Sequence, residues 1–133
     1  MLCKLEVDLS LRVWPVITTL ILLALATCPL LADDREDQSR AQVAFGIDVA
    51  QRGLWREATY RWEKAIELNP DNASARNNLA VAFEQSGEFD EANEEYERAL
   101  ELDSANLYIR QNYELFREAY ERKKRSDRRA RRN

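Results

Sequence analysis

GLWREATYRWEKAIELNPDN at residues 53–72 and GEFDEANEEYERALELDSAN at residues 87–106 are two copies of one pattern. A shift of 34 residues places Gly53 on Gly87 and superposes aromatic residues at two further positions. The same shift places Ala-Ile-Glu-Leu at residues 65–68 on Ala-Leu-Glu-Leu at residues 99–102. A repeat of this length is typical of a helical unit that buries its apolar face by stacking on its neighbours.

Glycine, alanine and proline residues at particular positions of the two copies predict paired helices. Gly53 and Gly87 stand where a first helix must end, because glycine adopts a left-handed backbone without a steric penalty. Ala58 and Ala92 are small, as a close crossing of two helices requires, and Pro70 cannot continue a helix. No strand signal competes with the apolar periodicity. The sequence therefore predicts helices at roughly 40–52, 55–68, 73–86, 89–102 and 107–124.

This pattern resembles the tetratricopeptide repeat, and the resemblance covers residues 39–106. It implies an all-α fold, an α-solenoid of two helix pairs followed by a C-terminal capping helix. Ser104 stands where the family pattern has proline, and Glu114 stands where the last helix should carry a small residue. The predicted organisation is a presequence at 1–32, an acidic linker at 33–38, repeats at 39–72 and 73–106, the capping helix at 107–124 and a basic disordered tail at 125–133.

The N-terminal segment has the composition of an export signal. An almost wholly apolar run, residues 13–32, follows Lys4 and Arg12 and precedes the acidic residues 33–37. A cleaved signal peptide, an uncut single-pass anchor and a lipoprotein-type site at Cys28 are alternatives, although Thr27 is a poor neighbour for a modified cysteine. All three predict that the repeats lie outside the cytoplasm, as a periplasmic, secreted or membrane-anchored domain.

Residue composition argues against catalysis and against a metal site. The chain has no histidine, and its two cysteines, Cys3 and Cys28, both lie in the presequence. The commonest general base and the commonest zinc ligands are therefore missing from the predicted repeats. We expect no enzyme activity, no cofactor and no disulfide scaffold in the folded domain.

The resemblance implies a ligand-binding groove on the concave face, lined by the first helix of each pair and by the capping helix. Side chains that point into this groove are predicted to be Arg40, Val43, Ile47, Asn77, Asn78, Val81, Glu84, Tyr108, Gln111, Asn112 and Leu115. Asn78 and Asn112 occupy equivalent positions, and amide side chains can pair with the backbone of an extended peptide. The alternative is that both amides bond within the stack. Only Asn78 matches the carboxylate clamp of chaperone-binding members, so that type of clamp is not expected.

The sequence thus predicts a non-enzymatic adaptor that binds a protein or peptide of unknown identity. The alternative is a module that binds an anionic surface, lipid or another polyanion, through the basic residues 122–132. Self-association is a further option, because two repeats and a cap are close to the minimum for a stable stack. Nucleic acid is not expected as a partner of an exported chain.

Overall fold

The computed structural model describes residues 28–132, and these form five helices without a strand. The helices are α1 (Cys28–Gln51), α2 (Trp55–Leu68), α3 (Ala73–Ser86), α4 (Phe89–Leu102) and α5 (Leu107–Ala130). The pairs α1/α2 and α3/α4 correspond to the two predicted repeats, and α5 corresponds to the predicted capping helix. The all-α repeat architecture is confirmed.

Two kinds of turn set the 34-residue period. Gly53 and Gly87 have φ values of 78° and 80°, the left-handed conformation that ends the first helix of each pair. Asn72 and Asn106 cap the helices that follow, since their side-chain oxygens accept hydrogen bonds from Ala75 N at 3.0 Å and from Tyr108 N at 3.1 Å. The two caps are also 34 residues apart, so each repeat begins and ends with the same local chemistry.

Two apolar clusters hold the helices together. The first joins α1, α2 and α3 around Trp62 and the completely buried Ala58 and Ala65. The second joins α3, α4 and α5 around Tyr96 and Phe116, whose ring centroids are 5.0 Å apart. Helix α3 contributes to both clusters, which makes it the structural link between the repeats and α5.

Helices α1 and α5 are both longer than predicted. Helix α1 begins at Cys28, so the predicted acidic linker at 33–38 is helical, and Arg40 forms ion pairs with Glu36 and Asp37 one turn earlier. Helix α5 extends to Ala130, so most of the predicted disordered tail is also helical. Neither extension contains glycine or an interior proline, and pairs at spacings of three and four residues support an exposed helix. Charge runs that predicted solvated segments are here the surfaces of helices.

The export prediction depends on residues that the structure does not describe. Residues 1–27, with most of the apolar run, lie outside the described part of the chain. Within residues 28–132, no helix combines the length and the apolar composition needed to cross a bilayer.

Candidate binding face

The predicted groove residues lie on α1, α3 and α5, the first helix of each pair and the capping helix. We call the side of these three helices that carries them the first-helix face. Its α1 members are residues 40, 43 and 47, its α3 members are residues 77, 78, 81 and 84, and its α5 members are residues 108, 111, 112 and 115.

Three asparagines form a hydrogen-bonded chain on this face. Asn112 Nδ2 on α5 donates to Asn77 Oδ1 on α3 at 3.1 Å. Asn77 Nδ2 in turn donates to Asn78 Oδ1 at 3.3 Å. Asn77 is 1% exposed, whereas Asn78 and Asn112 are half-buried. The amides therefore bond within the stack, but these two hydrogen bonds do not involve Asn78 Nδ2 or Asn112 Oδ1, which can donate to and accept from another partner.

Exposed apolar side chains accompany the amides. Ile47 is 40% exposed, Leu115 is 63% exposed and Tyr108 is 65% exposed. Val81 is half-buried. Ile47, Val81 and Leu115 are separated by 34 residues each, so they occupy equivalent positions on three successive helices. Large apolar side chains in this arrangement offer contact area that the stack itself does not cover.

Val43 and Glu84, two other predicted members of the face, make contacts inside the protein, whereas Arg40 and Gln111 are exposed. Val43 is 8% exposed and belongs to the first apolar cluster. Glu84 Oε2 accepts a hydrogen bond from Tyr96 Oη at 3.3 Å, and burial, followed by the charge of Glu84, raises the pKa of Tyr96. Arg40 is held by its two intrahelical ion pairs, while Gln111 is exposed.

A cavity of about 530 Å³ lies at the start of this face. Its lining includes the predicted Arg40 and Val43, together with the helix-capping Asn72 and Asn106. The sequence reasoning did not assign Asn72 and Asn106 to a site, although their 34-residue spacing is visible in the sequence. Asn72 Nδ2 also donates to Ser39 Oγ at 2.9 Å, a contact that fixes α1 against the turn before α3.

A second cavity, of about 360 Å³, lies between the start of α4 and the basic end of α5. Acidic and basic side chains both line it, and Tyr120 Oη donates to Asp90 Oδ1 at 2.5 Å across the two helices. Lys124 Nζ lies 3.9 Å from the centre of the Tyr120 ring. Within residues 33–132, no group of His, Cys, Asp and Glu side chains is arranged to hold a metal ion.

Comparison with known proteins gives a match to one family model and matches to solved structures. The tetratricopeptide repeat family model matches residues 43–106. A solved structure titled "Functional Characterization of Pseudomonas Aeruginosa pilF" is 36% identical, has a TM-score of 0.62, and aligns with 68% of this chain and 40% of that chain. The Arabidopsis OM64 TPR domain is 26% identical, with a TM-score of 0.61, over 68% of this chain and 74% of that chain.

This chain therefore spans less than half of the length of the first of these structures. No curated protein sequence matches the chain. The repeat match and the structural neighbours together support a tetratricopeptide-repeat protein, with the matched repeats at residues 43–106.

Proposed function

We propose that this protein is a non-enzymatic interaction module whose first-helix face binds an extended peptide or a helix of a partner protein. The tetratricopeptide fold is in general that of a protein-interaction module. The observation that carries the finer proposal is the placement of Ile47, Tyr108 and Leu115, which are exposed on the same face as the asparagine chain.

The two kinds of side chain would contribute differently to binding. The apolar positions supply contact area, and burying it stabilises the complex by about 25 cal/mol per Å² before the entropic cost of association. The unused donor of Asn78 and acceptor of Asn112 can pair with the peptide backbone, which contributes orientation more than affinity. Because Asn77 already holds both amides in place, little side-chain entropy is lost when a ligand binds.

A peptide display library selected on the full chain tests this proposal. Peptides that bind should lose at least tenfold in affinity when Leu115 is changed to Asp, because a charge would have to be desolvated in the contact. Leu107→Asp is the matched control, since Leu107 is on the same helix, is 73% exposed and is not a predicted member of the face. Equal loss in both variants, or no enriched peptide, would contradict the proposal.

We place the binding function outside the cytoplasm, on the support of the apolar run and its flanking charges alone. A reporter that is active only after translocation, fused behind Asn133, should be active in the full chain. It should be inactive when residues 1–32 are removed. Equal activity of the two fusions would contradict export, and the mass of the mature chain would distinguish cleavage from an uncut anchor.

The alternative function, binding of an anionic surface, is supported by the basic end of α5. Residues 122–132 carry eight Lys or Arg and one Asp. The chain should then bind vesicles containing anionic lipid at low salt and release them as the salt concentration rises, because exposed charges are screened. Truncation after Glu121 should abolish binding, and equal binding of the truncated chain would contradict this alternative.

A further inference from the structure

Charge is divided unequally along the described chain. Residues 33–121 contain 10 Lys or Arg and 21 Asp or Glu, a net charge of −11, whereas residues 122–133 carry a net charge of +7. Since the tail is helical to Ala130, its positive charge lies along a defined direction at the end of α5. The two regions carry opposite net charge, so a partner that is complementary to both is favoured over one that is complementary to only one.

The basic end of α5 carries a row of arginines on the side of the helix that faces away from the second apolar cluster. Arg122, Arg125 and Arg129 follow at spacings of three and four residues, which places them on one side of α5. Phe116 and Tyr120, which pack into the second apolar cluster, lie on the opposite side. All three arginines are exposed, and within the described part of the chain none of them takes part in an ion pair. We call these three residues the arginine stripe.

Helix α4 carries an acidic stripe of the same geometry. Glu94, Glu97 and Glu101 follow at the same spacings of three and four residues and are exposed. Each stripe is about 10 Å long, given a rise of about 1.5 Å per residue. Glu97 accepts a hydrogen bond from Tyr113 at 3.2 Å, and Glu101 pairs with Arg98 at 2.7 Å. The Arg98–Glu101 pair is exposed and stabilises little, and both carboxylates remain accessible to a cation of a partner. We call these residues the glutamate stripe.

We propose that a second copy of this chain occupies the arginine stripe, with the arginine stripe of each copy lying against the glutamate stripe of the other. The two contacts are equivalent in a two-fold dimer, so one association pairs both stripes of both molecules. Arginine is suited to this contact because its guanidinium binds a carboxylate through two parallel hydrogen bonds. An anionic bilayer is complementary to the arginine stripe alone, whereas a second copy offers opposite charge to both stripes. Neither stripe contains a residue of the first-helix face, so the dimer does not depend on the peptide-binding proposal.

The salt dependence of the molecular mass is the first test. We expect the full chain, in an uncharged detergent, to sediment as a dimer at about 0.01 M salt and as a monomer at about 1 M salt, where the Debye length falls from about 30 Å to about 3 Å. A monomer at low salt, or a dimer that does not respond to salt, would overturn the proposal. A chain that is monomeric at low salt but binds anionic vesicles would identify the bilayer as the partner instead.

Charge reversal gives the second test and includes its own control for folding. The tail variant carries Arg122→Glu, Arg125→Glu and Arg129→Glu, and the repeat variant carries Glu94→Lys, Glu97→Lys and Glu101→Lys. Each variant alone should be monomeric at low salt, since its two stripes have the same sign. An equimolar mixture should form a one-to-one heterodimer, because every stripe then meets its opposite. A mixture that remains monomeric, or a variant that still dimerises alone, would overturn the proposal.

Discussion

Gly46 shows how one missing side chain allows two helices to approach. It is buried on α1, and a Cβ added there would lie 2.4 Å from Trp62 Nε1 on α2. Trp62 cannot move easily, because it is 2% exposed and Nε1 donates to Val43 O at 3.4 Å. We expect Gly46→Ala to destabilise the fold by about 1–3 kcal/mol, even though alanine favours a helix by up to about 1 kcal/mol over glycine.

Urea unfolding followed by circular dichroism measures this effect. The control is the same substitution in a Trp62→Phe background, where the smaller ring leaves room for the methyl group. The cost of Gly46→Ala should be smaller there, and an equal cost in both backgrounds would show that Trp62 is not the cause.

The asparagine chain changes what substitution of the groove amides should do. From the sequence alone, Asn78→Ala and Asn112→Ala should both weaken partner binding by roughly 1–2 kcal/mol with little effect on stability. In the structure, Asn112 supplies the donor for the buried Asn77 Oδ1. Asn112→Ala should therefore also lower the free energy of unfolding by about 1–3 kcal/mol, the cost of an unpaired buried acceptor.

Asn78→Ala is the comparison for this measurement. It removes an acceptor from Asn77 Nδ2 across a longer bond of 3.3 Å, so the cost to stability should be smaller than for Asn112→Ala. Equal melting temperatures of the parent and both variants would contradict a structural role of the hydrogen-bonded asparagines. The burial of Asn77 could not be predicted, because a 34-residue shift identifies equivalent positions but not the side chain that a neighbouring helix covers.

Tyr96 predicts a loss of stability at alkaline pH. Burial, followed by the charge of Glu84 and the hydrogen bond to it, raises the pKa of the Tyr96 phenol above its ordinary value of 10.0. The folded state therefore holds the proton more tightly than the unfolded state, and the stabilisation is complete below about pH 10. It is lost as the pH rises through the pKa of the folded state.

Unfolding free energies measured from pH 8 upward, with parent and Tyr96→Phe in parallel, test this expectation. The stability of the parent should fall more steeply above about pH 10 than that of Tyr96→Phe, which has no phenol to ionise. Parallel curves would show that Tyr96 is not the group responsible. Tyr113, whose pKa is also raised by burial and then by Glu97, remains in both proteins and so cancels in the comparison.

At the scale of the helices, the small alanines control how closely a pair can pack. Ala58 on α2 and Ala92 on α4 are completely buried at equivalent positions. Ala58→Leu and Ala92→Leu should each overpack a helix crossing and lower stability by about 1–3 kcal/mol. Ala44→Leu on the exposed side of α1 is the matched control and should melt like the parent, within about 0.5 kcal/mol. Variants at residues 58 and 92 that melt like the parent would contradict this packing.

Helix bounds were predictable where local chemistry ends a helix. Gly53 and Gly87, which end the first helix of each pair, are readable from the sequence, and the bounds of α2, α3 and α4 agree with the prediction. The N-terminal end of α1 and the C-terminal end of α5 lack such signals. Runs of charge there predict a solvated linker and tail, but exposed helices also carry such runs.

At the scale of the whole molecule, the fold was more predictable than the site. The 34-residue period specifies the order of helices and the two apolar clusters, because each equivalent position repeats its packing. The surface is less regular. Tyrosine–carboxylate contacts, such as Tyr120 with Asp90 and Tyr113 with Glu97, join residues 30 and 16 positions apart. Neither separation equals the repeat length, so sequence self-similarity gives no indication of them.

The short reach of the contacts has a consequence for kinetics. The side-chain hydrogen bond between Asn77 and Asn112, which joins α3 and α5, spans only 35 residues. Chains whose contacts are this local lose little loop entropy before native contacts form, and such helical proteins fold in microseconds to milliseconds. Each repeat can acquire its contacts soon after about 34 further residues have emerged from a ribosome or a translocation channel. A chain that emerges unfolded would therefore fold almost as fast as it emerges, which leaves little time for aggregation or proteolysis.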